Sequence, residues 1–168
     1  DVYKRQKQEL TGVRYEVEVS GLLGGHSGGE IHKERGNSNC ILGRLLWKLS
    51  EKIPVGLVSA DGGLADNAIP RQTKAVVVVE EKDAESLEQQ VAALAAELAD
   101  ELATKDPDVK VTAKRLADTA ETITCAAPEA TKRVAAFLQA TPNGVQAMSA
   151  DMPGLVQTSL NPVSYTHL

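Results

Sequence analysis

Cysteine is scarce in this chain. Cys40 and Cys125 are too few for a disulfide framework, and both read as small core residues in helix-like contexts. No apolar run approaches the ~20 residues of a membrane-spanning helix, and no signal peptide is visible, so a cytoplasmic setting is expected. Excess positive charge is missing as well: the formal net charge is −5, which argues against a nucleic-acid partner or an anionic membrane surface. The stretch Gly24 to Gly29, G-G-H-S-G-G, lacks the Lys-Ser/Thr of a phosphate-binding loop, and Ser27 has no nucleophile elbow around it. His26 and His32 do not have the i, i+4 spacing of a helical zinc pair, and no Asp, Glu or Cys set at ligand spacing surrounds them. That argues against a metal site made from this chain alone. Internal repeats are absent.

The two ends stand apart from the rest. Asp1 to Gln6, D-V-Y-K-R-Q, can be encoded by GAT GTG TAT AAG AGA CAG, and the reverse complement of that DNA in a shifted frame gives the V-S-Y-T-H run near the other end. Both tails, 1–6 and 163–168, resemble a translated transposon-end sequencing adapter and are set aside from fold reasoning. Residues 7–162 then suit one domain, long enough to bury roughly 70% of its unfolded surface.

What is abundant is glycine, concentrated between Gly21 and Gly29 in a stretch that continues to Asn39. Glycine permits positive φ and close approach of backbone to a ligand, so this run makes a poor helix and a poor strand but a plausible binding loop. Before it, Arg14 to Ser20 alternates, with Tyr15, Val17 and Val19 on one face: a half-buried strand. After it, Asn37, Ser38 and Asn39 offer N-cap side chains to a helix whose Ile41, Leu42, Leu45, Leu46 and Leu49 form one apolar face. Val55 to Ala60 and the valine-rich Thr73 to Glu80 read as strands. Asp83 opens a long helix with Leu87, Val91, Leu94, Leu98 and Leu102 inward, and Val109 to Ala113 alternates as another strand. Pro128 suits the first position of a third helix, with Ala130, Val134, Phe137 and Leu138 expected inward, and Leu155 to Leu160 looks like a closing strand. The order predicts an α+β fold, an antiparallel sheet with helices packed on one face.

Among candidate functional residues, His26 lies in the glycine loop and not on an apolar face. On the residues alone it could act as a base, a metal ligand or a donor to an oxyanion, or be a plain solvent-exposed histidine. We read it as presented to a site that the chain itself does not complete. His32 is expected to support the loop by hydrogen bonding or to contact substrate, and Glu30, Lys33, Glu34 and Arg35 read as a solvated charge run. Asn67 and Arg71 flank Ile69-Pro70 at a strand entrance. Arg suits a carboxylate and Asn an oxyanion or carbonyl, although turn chemistry plus a surface Arg is the plainer account.

Four ordered stretches carry a resemblance: Gly24 to Asn39, N-A-I-P-R at Asn67 to Arg71, A-T-P-N-G-V at Ala140 to Val145 and V-Q-T-S-L-N at Val156 to Asn161. Together they resemble the aminoacyl-histidine dipeptidases, also called beta-alanyl-histidine or cytosol non-specific dipeptidases, over essentially all of residues 7–161. The resemblance implies the lid and dimerisation domain of a di-zinc exopeptidase, an extended ferredoxin-like domain inserted into a catalytic domain that this sequence does not include. Two zinc ions, or another divalent metal, would be held by that catalytic domain, so the chain alone is expected to be inactive. The implied partners are a dipeptide substrate such as Xaa-His, the catalytic domain and a second copy in a homodimer. By the same resemblance His26 donates to the oxyanion, Asn67 helps hold the substrate carbonyl or oxyanion, and Arg71 is a weaker substrate contact. The family's lid continues past Asn161, so the last strand is expected to be cut and its sheet edge ragged. A non-catalytic dimerising module binding a small ligand is the alternative. A self-contained hydrolase using His26 and Ser27 lacks an acid partner.

Overall fold

In the computed structural model, which describes residues 7–117, 119–163 and 165–166, the organising element is one long strand, β1 (Lys7–Ser20). Of the adapter-like tails, residues 1–6, 164, 167 and 168 lie outside the described residues. Along the C-terminal half of β1, Val13, Tyr15, Val17 and Val19 are fully buried, while Arg14, Glu16, Glu18 and Ser20 are half-buried on the opposite face. Strand β5 (Thr73–Val79) pairs along one side of that half and β6 (Lys110–Arg115) along the other, and β3 (Gly56–Gly62) lies outside β5. Helix α1 (Ser38–Ser50) links β1 to β3, and α2 (Ala84–Glu101) links β5 to β6. The sheet order β3-β5-β1-β6, antiparallel throughout, is that of two interleaved β-α-β units. This is the expected α+β, ferredoxin-like arrangement.

Both helices pack on one face of the sheet. Leu42, Leu45, Leu46 and Leu49 of α1 join Leu87, Val91, Leu94 and Leu98 of α2 and the inward residues of β1 in one core cluster. Fully burying one such side chain contributes roughly 1.5–3 kcal/mol. The Tyr15 hydroxyl satisfies itself within this core by donating to Glu88 Oε1 at 2.7 Å. Burial, then the Glu88 carboxylate, holds its pKa above the usual value.

Three features differ from the sequence reading. First, β1 extends seven residues earlier than the expected start at Arg14 and there pairs with β7 (Glu121–Ala126), a strand that the sequence reading passed over. β7 also meets β3, through Leu57 and Ala126. Cys125 belongs to β7, not to a helix, and is buried beside Leu10 and Val78 where all three approach Gly56, outside the main core cluster. Second, Phe137 of α3 (Pro128–Ala140) is 63% exposed, not inward. The buried residues of α3 are Ala130 and Leu138, as expected, with Thr131 and Ala135, and Phe137 sits about 100° around the helix from Leu138. Third, β9 (Val156–Leu160) closes no sheet edge: it pairs with β8 (Gly144–Met148) in a ribbon of its own. The outer edge of β3 pairs at Asp61 and Gly62 with the backbone of β10 (Tyr165–Thr166).

Helix α3 lies against α1, and Gly43 is where they cross. A Cβ at Gly43 would stand 2.5 Å from Leu138 Cβ and 3.0 Å from the Gln139 backbone nitrogen. Helix propensity alone predicts that Gly43→Ala gains about 1 kcal/mol. Overpacking against backbone reverses the sign, so we expect a net loss of roughly 1–2 kcal/mol, read as a lower urea midpoint than wild type. A raised midpoint would show that the helices separate at little cost.

Candidate functional site

The glycine loop folds because side chains elsewhere replace the secondary structure that its own residues cannot supply. Asp106, fully buried just after α2, accepts from the Leu23 amide through Oδ1 at 2.7 Å and from the Gly36 amide through Oδ2 at 2.6 Å. One carboxylate thereby gathers the two ends of the loop. Leu22 and Leu102 pack where Gly36 has no side chain: a Cβ there would come within 2.9 Å of Leu22 Cδ2.

Inside that clamp, β2 (Gly25–His26) pairs antiparallel with β4 (Ala68–Ile69), setting Gly25 opposite Ile69 and His26 opposite Ala68. The Ser27 amide extends the pairing by donating to the Asn67 carbonyl at 2.9 Å. The ribbon brings the glycine loop and the Asn67 to Arg71 motif into register, although they are far apart in sequence. Arg71 also belongs here: its Cβ would be 3.2 Å from a Cβ placed on Gly24. His26, Asn67 and Arg71 are all exposed, and the Asn67 amide and Arg71 guanidinium have no hydrogen-bond or ionic partner among the described residues. Leu23, Leu64, Ile69, Pro70 and Arg71 line an adjoining cavity of about 260 Å³. His32 does not support the loop: it is exposed on the single turn Ile31–Lys33 and makes no hydrogen bond among the described residues.

The orientation of His26 is specific. Its Nδ1 accepts from the Gly28 amide at 3.0 Å and the Gly29 amide at 3.1 Å. A nitrogen that accepts carries no proton, so in the neutral ring the proton sits on Nε2. The imidazole therefore offers an N–H donor at its outer edge. Of the three roles open to it by sequence, this tautomer suits the donor and not the base or the metal ligand.

Glu30 and Arg35 brace the same turn and are more than a solvated run. Glu30 Oε2 accepts from the His26 amide at 3.0 Å, its Oε1 from Lys33 Nζ at 2.6 Å, and the Arg35 guanidinium donates to the Gly24 carbonyl at 2.5 Å. Lys33 first, then the His26 amide, hold the Glu30 carboxyl down at about 2. A depressed folded pKa means that the brace contributes fully above the ordinary value of 4.5 and is lost as pH falls through about 2. We expect the Glu30 carboxyl carbon to titrate near pH 2 by NMR, moving up in Lys33→Ala. A wild-type midpoint near 4.5 would mean that the brace is absent in solution.

The four motifs converge on Asn37. Its Oδ1 caps α1 by accepting from the Asn39 and Cys40 amides. Its Nδ2 donates to Asn143 Oδ1 at 3.2 Å, Asn161 Oδ1 at 3.0 Å and the Pro162 carbonyl at 3.1 Å. Asn161 Nδ2 in turn donates to the Ala68 carbonyl at 3.0 Å, and the Ser38 amide to the Pro70 carbonyl at 3.0 Å. Sequence reasoning saw Asn37 only as a candidate helix cap and gave no role to Asp106, Asn143 or Asn161, although the last two lie in motifs that carry the resemblance. Their partners are remote in sequence, so no local signal gives their contacts.

A family profile described as the peptidase dimerisation domain matches residues 17–106, more than half of the chain. The chain belongs to that family. Cytosol non-specific dipeptidase of Escherichia coli strain K12 is 35% identical over 147 residues, which cover 88% of this chain and 30% of that protein. The crystal structure of aminoacylhistidine dipeptidase from Vibrio alginolyticus superposes with a TM-score of 0.85 at 29% identity, covering 96% of this chain and 34% of that one. This dimerisation domain thus spans about a third of the length of the relatives it matches. The match confirms the relationship to dipeptidases read from the four motifs. Within the domain, the described residues contain no group of three or more His, Cys, Asp or Glu able to hold a metal ion, and no helix long and apolar enough to cross a membrane.

Proposed function

We propose that this domain is the lid and dimerisation part of a metal-dependent, cytoplasmic dipeptidase that cleaves short peptides such as Xaa-His. In this reading residues 7–162 are the domain, the flanking hexapeptides are adapter-derived, and the chain alone does not turn over substrate. No group of the described residues fits a metal site, and in this reading the zinc or other divalent ions implied by the resemblance are held by the catalytic domain.

The chain's own part is to donate and to orient. His26 Nε2–H, aimed outward because Nδ1 is occupied by two amides, donates to the oxygen that gains negative charge as the peptide carbonyl becomes tetrahedral. Asn67, tied to Ser27 by its carbonyl and with a side chain unpartnered among the described residues, supplies a second donor from the same ribbon. Arg71, exposed beside Gly24, suits the substrate carboxylate. A second copy completes a homodimer, as the family description suggests. The occupied Nδ1 is the single observation that carries the reading.

The test is dipeptide turnover by the intact protein containing this domain, with and without the His26 imidazole. Xaa-His cleavage that depends on His26 supports the reading. Full turnover without His26, or none by the intact wild-type protein, overturns it.

A further inference from the structure

We propose that Asn161 is a positioning residue for His26, latching the β8–β9 ribbon to the ribbon that carries the histidine. The inference rests on the reading of His26 as a donor, and it assigns a role to a side chain that touches the strand paired with the histidine.

A two-residue ribbon cannot hold itself in water; even a longer isolated hairpin is marginal. The β2 side of the His26 ribbon is fastened by Asp106 at Leu23, Arg35 at Gly24 and Glu30 at the His26 amide. On the β4 side, side-chain support comes from Asn161, whose Nδ2 donates to the carbonyl of Ala68, the residue paired with His26. The backbone adds the Ser38 amide at Pro70, two residues further along. Asn161 also faces the other way, presenting Oδ1 to Asn37 Nδ2 at 3.0 Å. Asn37 is 2% exposed and is itself fixed as the cap of α1. Both ends of the Asn161 amide are therefore used, and they connect the rigid helix–sheet body to the partner strand of the histidine.

The β8–β9 ribbon is otherwise weakly held. Met148, Met152, Leu155 and Leu160 on the ribbon and its connection are each about half exposed, so apolar burial contributes little to its placement. Docking at this site comes from asparagine contacts at its two ends, Asn143 and Asn161, and from the adjoining Pro162 carbonyl, which accepts from Asn37 Nδ2 at 3.1 Å and Asn39 Nδ2 at 3.2 Å. Losing one therefore loosens the ribbon and the β4 strand together. The oxyanion donor must be placed within a few tenths of an ångström, and a misplacement of about 1 Å can cost 10²-fold in rate.

The experiment compares Asn161→Ala, His26→Ala and the double variant in the intact protein, alongside hydrogen exchange of the wild type and Asn161→Ala. Asn161→Ala is expected to lower kcat by roughly 10-fold to 10²-fold with KM little changed. In the His26→Ala background it should add no further loss, because the residue that it positions is gone. Exchange of the Ser27 amide, which bonds Asn67, should rise by about 10-fold or more while the Val17 amide in the central strand is unchanged. Asn161→Asp, which keeps the acceptor for Asn37 but turns a carboxylate oxygen toward the Ala68 carbonyl, should behave like alanine. Unchanged Ser27 exchange, or losses in kcat that multiply in the double variant, would overturn the latch. The exchange readout does not depend on turnover. If His26→Ala itself leaves kcat intact, the oxyanion reading falls, and Ser27 exchange still decides whether Asn161 holds the ribbon.

Discussion

Replacing His26 by alanine in the intact protein is expected to lower kcat by about 10²–10³, with KM within a few-fold of wild type. That is the usual cost of deleting one preorganised oxyanion donor, roughly 3–4 kcal/mol. The KM expectation follows from where the donor acts. A hydrogen bond that strengthens as charge develops on the oxygen stabilises the transition state more than bound substrate, so its loss appears in kcat. Preorganisation makes the effect large: the Gly28 and Gly29 amides fix the ring before substrate arrives, so little reorganisation accompanies the reaction. His26→Gln offers an internal comparison. Its amide can donate from a longer, freely rotating stem with no amide pair to hold it, so partial retention at best is expected. A His26→Ala enzyme with kcat near wild type would remove His26 from the chemistry. A raised KM with unchanged kcat would make it a ground-state substrate contact.

The second large effect is expected at Asp106, which touches no proposed substrate group. Asp106→Ala removes the acceptor of two partly buried amides at once, Leu23 N and Gly36 N. Bonds to a charged acceptor are worth roughly 1.5–3 kcal/mol each, and the abandoned amides lose their partner without regaining water fully. Local stability of the loop should fall by about 3 kcal/mol, or about 10² in exchange protection of those two amides. Asp106→Asn should rescue little, because its amide nitrogen would face one of the two N–H donors. Protection retained in either variant would mean that Leu22 and Leu102 hold the loop by packing alone.

The placement of these residues marks how far sequence reasoning reached. The alternation from Arg14 to Ser20 and the leucine stripes of α1 and α2 are local patterns with period two or 3.6, and with the capping cluster Asn37 to Asn39 each became the element expected of it. Phe137 failed because an apolar residue on a helix identifies a face only if something covers that face, and here its neighbours Thr131, Ala135 and Leu138 take the buried stripe. β7 failed because Glu121 to Ala126 is short and half exposed, with a pairing partner more than a hundred residues away in β1.

The sequence by itself determined the fold class, the glycine loop, the motifs that carry the family relationship, and His26, Asn67 and Arg71 as the residues to examine. Burial periodicity and backbone permissiveness are properties of neighbouring residues, so they can be read along the chain. Only the tertiary structure decided that His26 presents Nε2–H, that Asn67 and Arg71 reach the same loop, and that Asp106 and Asn161 hold it. Each of those is a hydrogen bond or close approach between distant segments. Its geometry exists only once the sheet and helices have fixed where the two segments end.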